Sequence, residues 1–366
     1  MNNPSEDEKK TKDPVPGQTC AWTDPQRNNF KFLRLFAALL VIFGHSYGIA
    51  DPSLDPIYRL SNGQFTSSFL GLSVFFFLSG FLVSQSFFNS RSLVNFIWRR
   101  IIRIYPAACL SILLAAILMG PLVTNLSVPA YFRDPLLRDY LSSCILVRIH
   151  YFLPGVFTQS AMGAFVNRSL WTISLELKLY LALLLLLAVP LPRKTWIICC
   201  AAVGLTAGGL LFPGFLKQLL HPQGAGGFTL MSYTVFTPFF LTGMAVFMLK
   251  DKIRLNRFLT GGALALMSTS LLFHFFAWVQ LLVLPIFILY FSTFRVSFFK
   301  RITPRYDLSY GLYVFAFPAQ QCVLNYLHPS TNLLFFFLSL ICTLPIAIIS
   351  WELVEKKCLS LKNLVK

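Results

Sequence analysis

The chain has 366 residues, 56% hydrophobic and only 12% charged, with a mean hydropathy of +0.66 and a formal net charge of +17. A soluble domain carries about 25% charged residues, so this composition excludes an ordinary soluble globule and points to an all-α, polytopic membrane protein. The basic residues lie mostly in short connections between apolar stretches, not in a basic domain with a groove, which argues against nucleic acid as a partner; the eight Cys include no CxxC pair, and no metal centre is read from them.

Residues 1–28 are polar, charged and Pro-containing. They are predicted to be a disordered cytoplasmic tail with no cleavable signal peptide. Ten apolar stretches follow, each near the roughly 20 residues that span a bilayer. They run over about 30–50, 68–88, 101–121, 170–190, 195–213, 229–249, 257–275, 277–294, 307–327 and 332–352. The seventh and eighth are separated only around Phe275 to Ala277. The membrane domain is expected over 29–358, with a short cytoplasmic tail at 359–366. An even number of crossings puts both termini on one side. Of the 31 Lys and Arg, 24 fall on that side and six on the other, so both termini are expected in the cytoplasm. The long outer loop, 121–169, contains "YFLPGVF" (Tyr151 to Phe157); a cover over a substrate entrance and a passive connection are both open readings.

The first stretch carries Arg34 and His45, eleven residues apart. Eleven residues are about three helical turns, so both side chains share one face, roughly 16 Å apart along the axis. Ionisable groups inside a membrane are costly and usually mark function, although a histidine there also serves as a polar contact between helices. The second stretch has Ser79 beside Gly80. A nucleophilic serine needs a base, none is implied nearby, and packing is the favoured role. The third begins with "RRIIRIYP" (Arg99 to Pro106), where Arg100 and Arg103 neighbour one another on a helical face. Guanidinium forks bind phosphate; anchoring to anionic headgroups is the plainer reading.

The fourth stretch opens "SLWTISLELKLYL" (Ser169 to Leu181). It runs inward, so Glu176 is expected about as deep below the outer surface as His45. A carboxylate beside an imidazole fixes its tautomer and raises its basicity; a partner role for Lys178 is the alternative. In the ninth stretch Pro318 is expected to bend the helix and free a carbonyl. Glu352 and Glu355, at the end of the tenth, are read as structural partners of nearby basic residues.

Taken together, the Arg34/His45 span, "FFFLSGF" (Phe75 to Phe81), "RRIIRIYP", "LWTISLELKLY" (Leu170 to Tyr180), "SYGLYVFAFP" (Ser309 to Pro318) and "SWELVEKK" (Ser350 to Lys357) resemble the acyltransferase-3 family of integral-membrane acyltransferases. The resemblance covers about residues 28–358 in the expected order. It implies an acyl-CoA donor, most simply acetyl-CoA, reached from the cytoplasm. It also implies an acceptor hydroxyl on a lipid-linked or exported glycan, of the lipopolysaccharide O-antigen or exopolysaccharide type, in the bacterial inner membrane. On this analogy His45 is the catalytic base or a transient acyl carrier, and Glu176 is the matching acidic position of the Trp-containing motif. Arg34, Arg99, Arg100 and Arg103 serve the CoA donor. Trp171, Ser174 and Tyr313, within the same motifs, are candidates for substrate contact.

Two departures accompany the resemblance. Ala316 stands where many relatives have a histidine, and the soluble domain that some relatives append is not expected here. The chain is therefore expected to complete transfer within the membrane domain or to pass its product to a partner. The rival readings are a membrane transporter of a small solute or glycan intermediate, and acyl transfer from another donor such as succinyl-CoA.

Overall fold

A computed structural model describes residues 28–48, 51–90, 92–188, 194–211, 226–293 and 307–365, all helix, turn or loop, with no strand among them. All but the last residue of the expected N-terminal tail lies outside the described residues. Each apolar stretch contains a long helix, numbered here α1 (Phe30–Gly48), α2 (Ser67–Phe88), α3 (Leu93–Leu113), α4 (Leu170–Ala188), α5 (Lys194–Leu211), α6 (Gly226–Met248), α7 (Arg257–Leu272), α8 (Phe276–Ser292), α9 (Ser309–Cys322) and α10 (Asn332–Ser350). Among the described residues, four segments are long and apolar enough by length and hydropathy to cross a membrane: Phe30–Gly48, Ser67–Phe88, Leu93–Val123 and Asn332–Ser360.

Two boundaries differ from expectation. The third helix starts at Leu93, because Ser92 caps it by accepting the Asn95 N–H at 3.1 Å. Arg99, Arg100 and Arg103 therefore lie within the helix and not ahead of it. The break between α7 and α8 falls at Phe273–Phe275, where His274 takes a left-handed conformation (φ 58°) and the chain reverses in three residues.

Apolar surface gains nothing by leaving lipid for protein, so helices in a membrane associate through close packing and polar contacts. The bundle follows that rule around α2, which packs against α1 on one side and α6 on the other. Gly44 of α1 lies against Ser68, and Gly71 of α2 lies against the Ala37 carbonyl. Gly80 meets the Phe240 carbonyl, and Gly243 meets that of Phe77. A side chain at any of the four would overlap backbone, so these glycines fix the height of α1 and α6 on α2. In turn, α1 packs against α9 and α10, and α9 against α3.

The long segment over 121–169 is tied down along its length. Two short helices, Val128–Arg133 and Pro135–Ser142, bring the Tyr131 hydroxyl to the Ala116 carbonyl at 2.7 Å. Burial pushes the Tyr131 phenol up to about 12 and raises that of Tyr140 further, which keeps both neutral. Leu153, Val156 and Phe157 of the "YFLPGVF" stretch are buried. Gln321 of α9 donates to the carbonyls of Gly163 and Phe165 at 2.8 and 2.7 Å. This segment is a packed wall of the bundle.

Candidate active site

Pro318 has no N–H for the carbonyl four residues earlier, that of Val314. That oxygen instead accepts from Asn167 Nδ2 at 2.9 Å and from Ser111 Oγ at 3.5 Å. The freed carbonyl thereby draws the end of the 121–169 segment into the bundle. Arg168 and Ser169 follow immediately, and both line a cavity of about 440 Å³ that also holds His45, Thr66, Ser68, Trp171 and Tyr313. His45 Nδ1 faces Gln320 Oε1 at 3.3 Å, and Phe317 meets the imidazole edge-to-face at 5.5 Å.

A second cavity lies further along α1, lined by Arg34, Arg100, Arg103, Ser79, Glu176, Tyr180 and Tyr310. Arg103 of α3 donates to Asp307 Oδ2 at 2.8 Å, and Arg34 of α1 approaches the same oxygen at 3.8 Å. Ser309 donates to the other oxygen of Asp307 at 2.8 Å. One carboxylate at the start of α9 thus gathers two arginines from two other helices. Arg100 reaches Ser86 Oγ at 3.1 Å. The buried Nε atoms of Arg99 and Arg100 have no hydrogen-bond partner among the described residues. Leu72 and Tyr313 line both cavities and form the partition between them.

Glu176 and His45 fall in different cavities, contrary to the equal depth expected from the sequence. Glu176 accepts from the hydroxyls of Ser79 and Tyr180. The reason is the depth at which α4 begins. Asn167 to Ser169 are already drawn inward by the Val314 carbonyl, so Ser169 sits at the His45 level. Seven residues later, about 10 Å further along the helix, Glu176 has passed the level of His45 and lines the arginine cavity. Ser79 therefore does have a carboxylate partner, which its own sequence surroundings did not reveal. Lys178 pairs elsewhere, with its ammonium 3.0 Å from the Tyr233 hydroxyl.

Of the three residues expected at substrate, Trp171 and Tyr313 line the His45 cavity, Trp171 held by ring contacts to Phe76 and Phe236. Tyr313 is fixed by its hydroxyl, 2.7 Å from Thr172 Oγ1. Ser174 lines neither cavity and donates to the Val147 carbonyl at 2.8 Å, bracing the 121–169 segment. Sequence reading missed Gln320, Asp307 as a partner of arginines, and Arg168. Only the polar character of Gln320 in an apolar helix gave a local signal.

The acyltransferase domain family matches residues 27–352 of the chain, and the chain belongs to this acyltransferase-3 family. It is an acyltransferase, with helices consistent with a membrane protein. Among curated proteins, it is 26% identical over 340 residues to an O-acetyl transferase of Shigella phage Sf6, covering 91% of this chain and 96% of the relative. It is 34% identical over 173 residues to nodulation protein 10 of Rhizobium leguminosarum bv. viciae, covering 44% and 45% of the two chains. No solved structure matches the chain.

Proposed function

We propose that the protein is a ten-span O-acetyltransferase of the bacterial inner membrane that moves an acetyl group from cytoplasmic acetyl-CoA to a hydroxyl of a cell-surface glycan. The observation that carries this reading is the pair of cavities meeting at Leu72 and Tyr313, one lined by arginines and the other by His45. The O-acetyl transferase name of the phage relative supports the reaction type.

The residues present fit the donor. Three arginines, Arg34, Arg100 and Arg103, line one cavity, and Arg100 retains a buried Nε–H without a partner among the described residues. Guanidinium groups of this kind hold phosphates through paired hydrogen bonds. Arg34 and Arg103 are held by Asp307, so Arg100, which lines the same cavity, is the first to meet a phosphate; Arg99 lines neither cavity. The donor's extended arm then runs past Ser79, Glu176 and Tyr180 towards the partition.

At the His45 cavity the acceptor hydroxyl is the nucleophile. His45 removes its proton as the oxygen attacks the thioester carbonyl, the new C–O bond forms, and the C–S bond breaks. The proton passes from the imidazole to the departing thiolate, so the enzyme returns to its starting state. Ser68, Thr66 and Ser169 line this cavity with hydroxyl side chains suited to a sugar, and Trp171 adds a flat apolar face. Glu176 acts on the donor side, beside the arginines. The test is mass spectrometry of glycan incubated with membranes containing the protein and labelled acetyl-CoA. A base-labile gain of one acetyl group per modified sugar supports the reading; a succinyl gain, or solute flux without ester formation, overturns it.

A further inference from the structure

Gln320 is fully buried on α9, and its neighbours allow its amide one orientation. Nε2 has two hydrogens, and both are used: it donates to the Ile42 carbonyl at 3.0 Å and to Ser46 Oγ at 3.0 Å. Ser46 in turn spends its own hydroxyl hydrogen on the Ile42 carbonyl, at 3.0 Å, leaving its lone pairs for Gln320. Turning the amide over would set Oε1 against the Ile42 carbonyl, acceptor against acceptor, and strand a buried donor. Oε1 is therefore aimed at His45 Nδ1.

An amide oxygen only accepts, so Nδ1 carries the imidazole hydrogen and Nε2 keeps the lone pair. Nδ1 is taken by Gln320, Nε2 has no hydrogen-bond partner among the described residues, and His45 lines the cavity. Phe317, packed edge-to-face, limits rotation of the ring. The same helix turn of α1 supplies all three groups involved: Ile42 and Ser46 orient the amide, and His45 receives it. The amide is clamped by the helix whose histidine it orients.

We propose that Gln320 is a positioning residue that sets the tautomer of His45, holding Nε2 basic and facing the acceptor cavity. The assignment rests on the acyl-transfer reading, in which His45 Nε2 takes the proton of the acceptor hydroxyl. A neutral amide suits this task because it orients the ring without fixing a charge beside it. It is the role that the sequence reading gave to Glu176, filled by a different residue from a different helix.

The test uses the full-length protein in lipid nanodiscs with 15N-labelled histidine, recorded at a pH where imidazole is neutral. The His45 signal is identified among the five histidines by its loss in His45→Asn. The expected spectrum has a protonated Nδ1 and an unprotonated Nε2. Gln320→Leu is expected to give a mixture of tautomers and to lower kcat about 10- to 100-fold, part of what a general base contributes, with KM for both substrates within about twofold. A wild-type proton on Nε2 would overturn the proposal, as would a Gln320→Leu protein with unchanged kcat and tautomer. The wild-type spectrum decides even if that variant does not fold. A wild-type protein with the expected tautomer and no acyl transfer would support the role of Gln320 and overturn the acyl-transfer reading instead.

Discussion

Arg103 and Asp307, 204 residues apart in sequence, lie 2.8 Å apart in the bundle, and the same carboxylate oxygen is 3.8 Å from Arg34. Three helices thus meet through one acidic side chain at the arginine-lined end. Their side chains retain only 14–22% exposure, so losing the acid strands two like charges in a poorly solvated site. Asp307→Asn is expected to destabilise the folded protein by about 3 kcal/mol, read as a lower unfolding midpoint in detergent. Combining it with Arg103→Gln is expected to cost less than the sum of the two. Strict additivity would contradict the shared site.

The Val314 carbonyl makes a second prediction. Pro318 frees it, and Asn167 satisfies it. Asn167→Leu is expected to cost about 1–3 kcal/mol by leaving a buried acceptor poorly paired, and to raise KM for the acceptor because Arg168 and Ser169 are its immediate neighbours. In a Pro318→Ala background the helix regains its own donor for that carbonyl. The cost of Asn167→Leu is then expected to shrink. An equal cost in both backgrounds, measured by thermal unfolding, would show that the loop contact does something else.

Glycine contacts give a third. Gly80 and Gly243 lie directly against carbonyl oxygens of the facing helix, whereas Gly204 and Gly208 on α5 have open space. Gly80→Ala is expected to destabilise by about 1–3 kcal/mol, because backbone must give way. Gly208→Ala is expected to be neutral or slightly stabilising through helix propensity. The pair can be compared by the detergent concentration or temperature at which each protein loses its fold. Similar losses in both would contradict the packing of α2 on α6.

Glu176 supplies a fourth. It accepts from Ser79 and Tyr180 and lines the arginine cavity, away from His45. Glu176→Gln is therefore expected to raise KM for the donor about tenfold or more while leaving KM for the acceptor near wild type. Steady-state kinetics with each substrate varied in turn would check this. A defect confined to the acceptor would return Glu176 to the His45 side.

How much of this was legible beforehand depends on whether the determining contact is local. The eleven-residue spacing of Arg34 and His45 is a property of one helix, and the structure keeps both on cavity-lining positions. The free carbonyl below Pro318 is likewise a local consequence of proline, and its position was readable even though its partner was not. The depth of Glu176 was not readable, because it depends on how far the 121–169 segment is pulled into the bundle before α4 begins. Gln320 was invisible as a partner of His45, since 275 residues separate them and the register of α1 against α9 is set by packing. Glu352 does pair with a basic neighbour, Lys356, at 2.8 Å, as the sequence led one to expect. Glu355 makes no close ion pair among the described residues: a π-helical turn over Trp351–Glu355 rotates it inward, where it is 3% exposed, accepts from Ser350 Oγ at 3.0 Å and interacts at longer range with the Arg103 and Arg34 charges. Such a turn inserts a residue into the helical repeat, which a fixed 3.6-residue period does not anticipate.

The most direct test of the account is a single-turnover assay on purified wild-type and His45→Ala proteins in lipid, matched for unfolding midpoint, with acetyl-CoA and glycan both saturating. The account predicts that the variant binds acetyl-CoA with near wild-type affinity but forms acetyl ester at least 100-fold more slowly, the scale of a lost general base. Ester formation at the wild-type rate by a folded His45→Ala protein would contradict it.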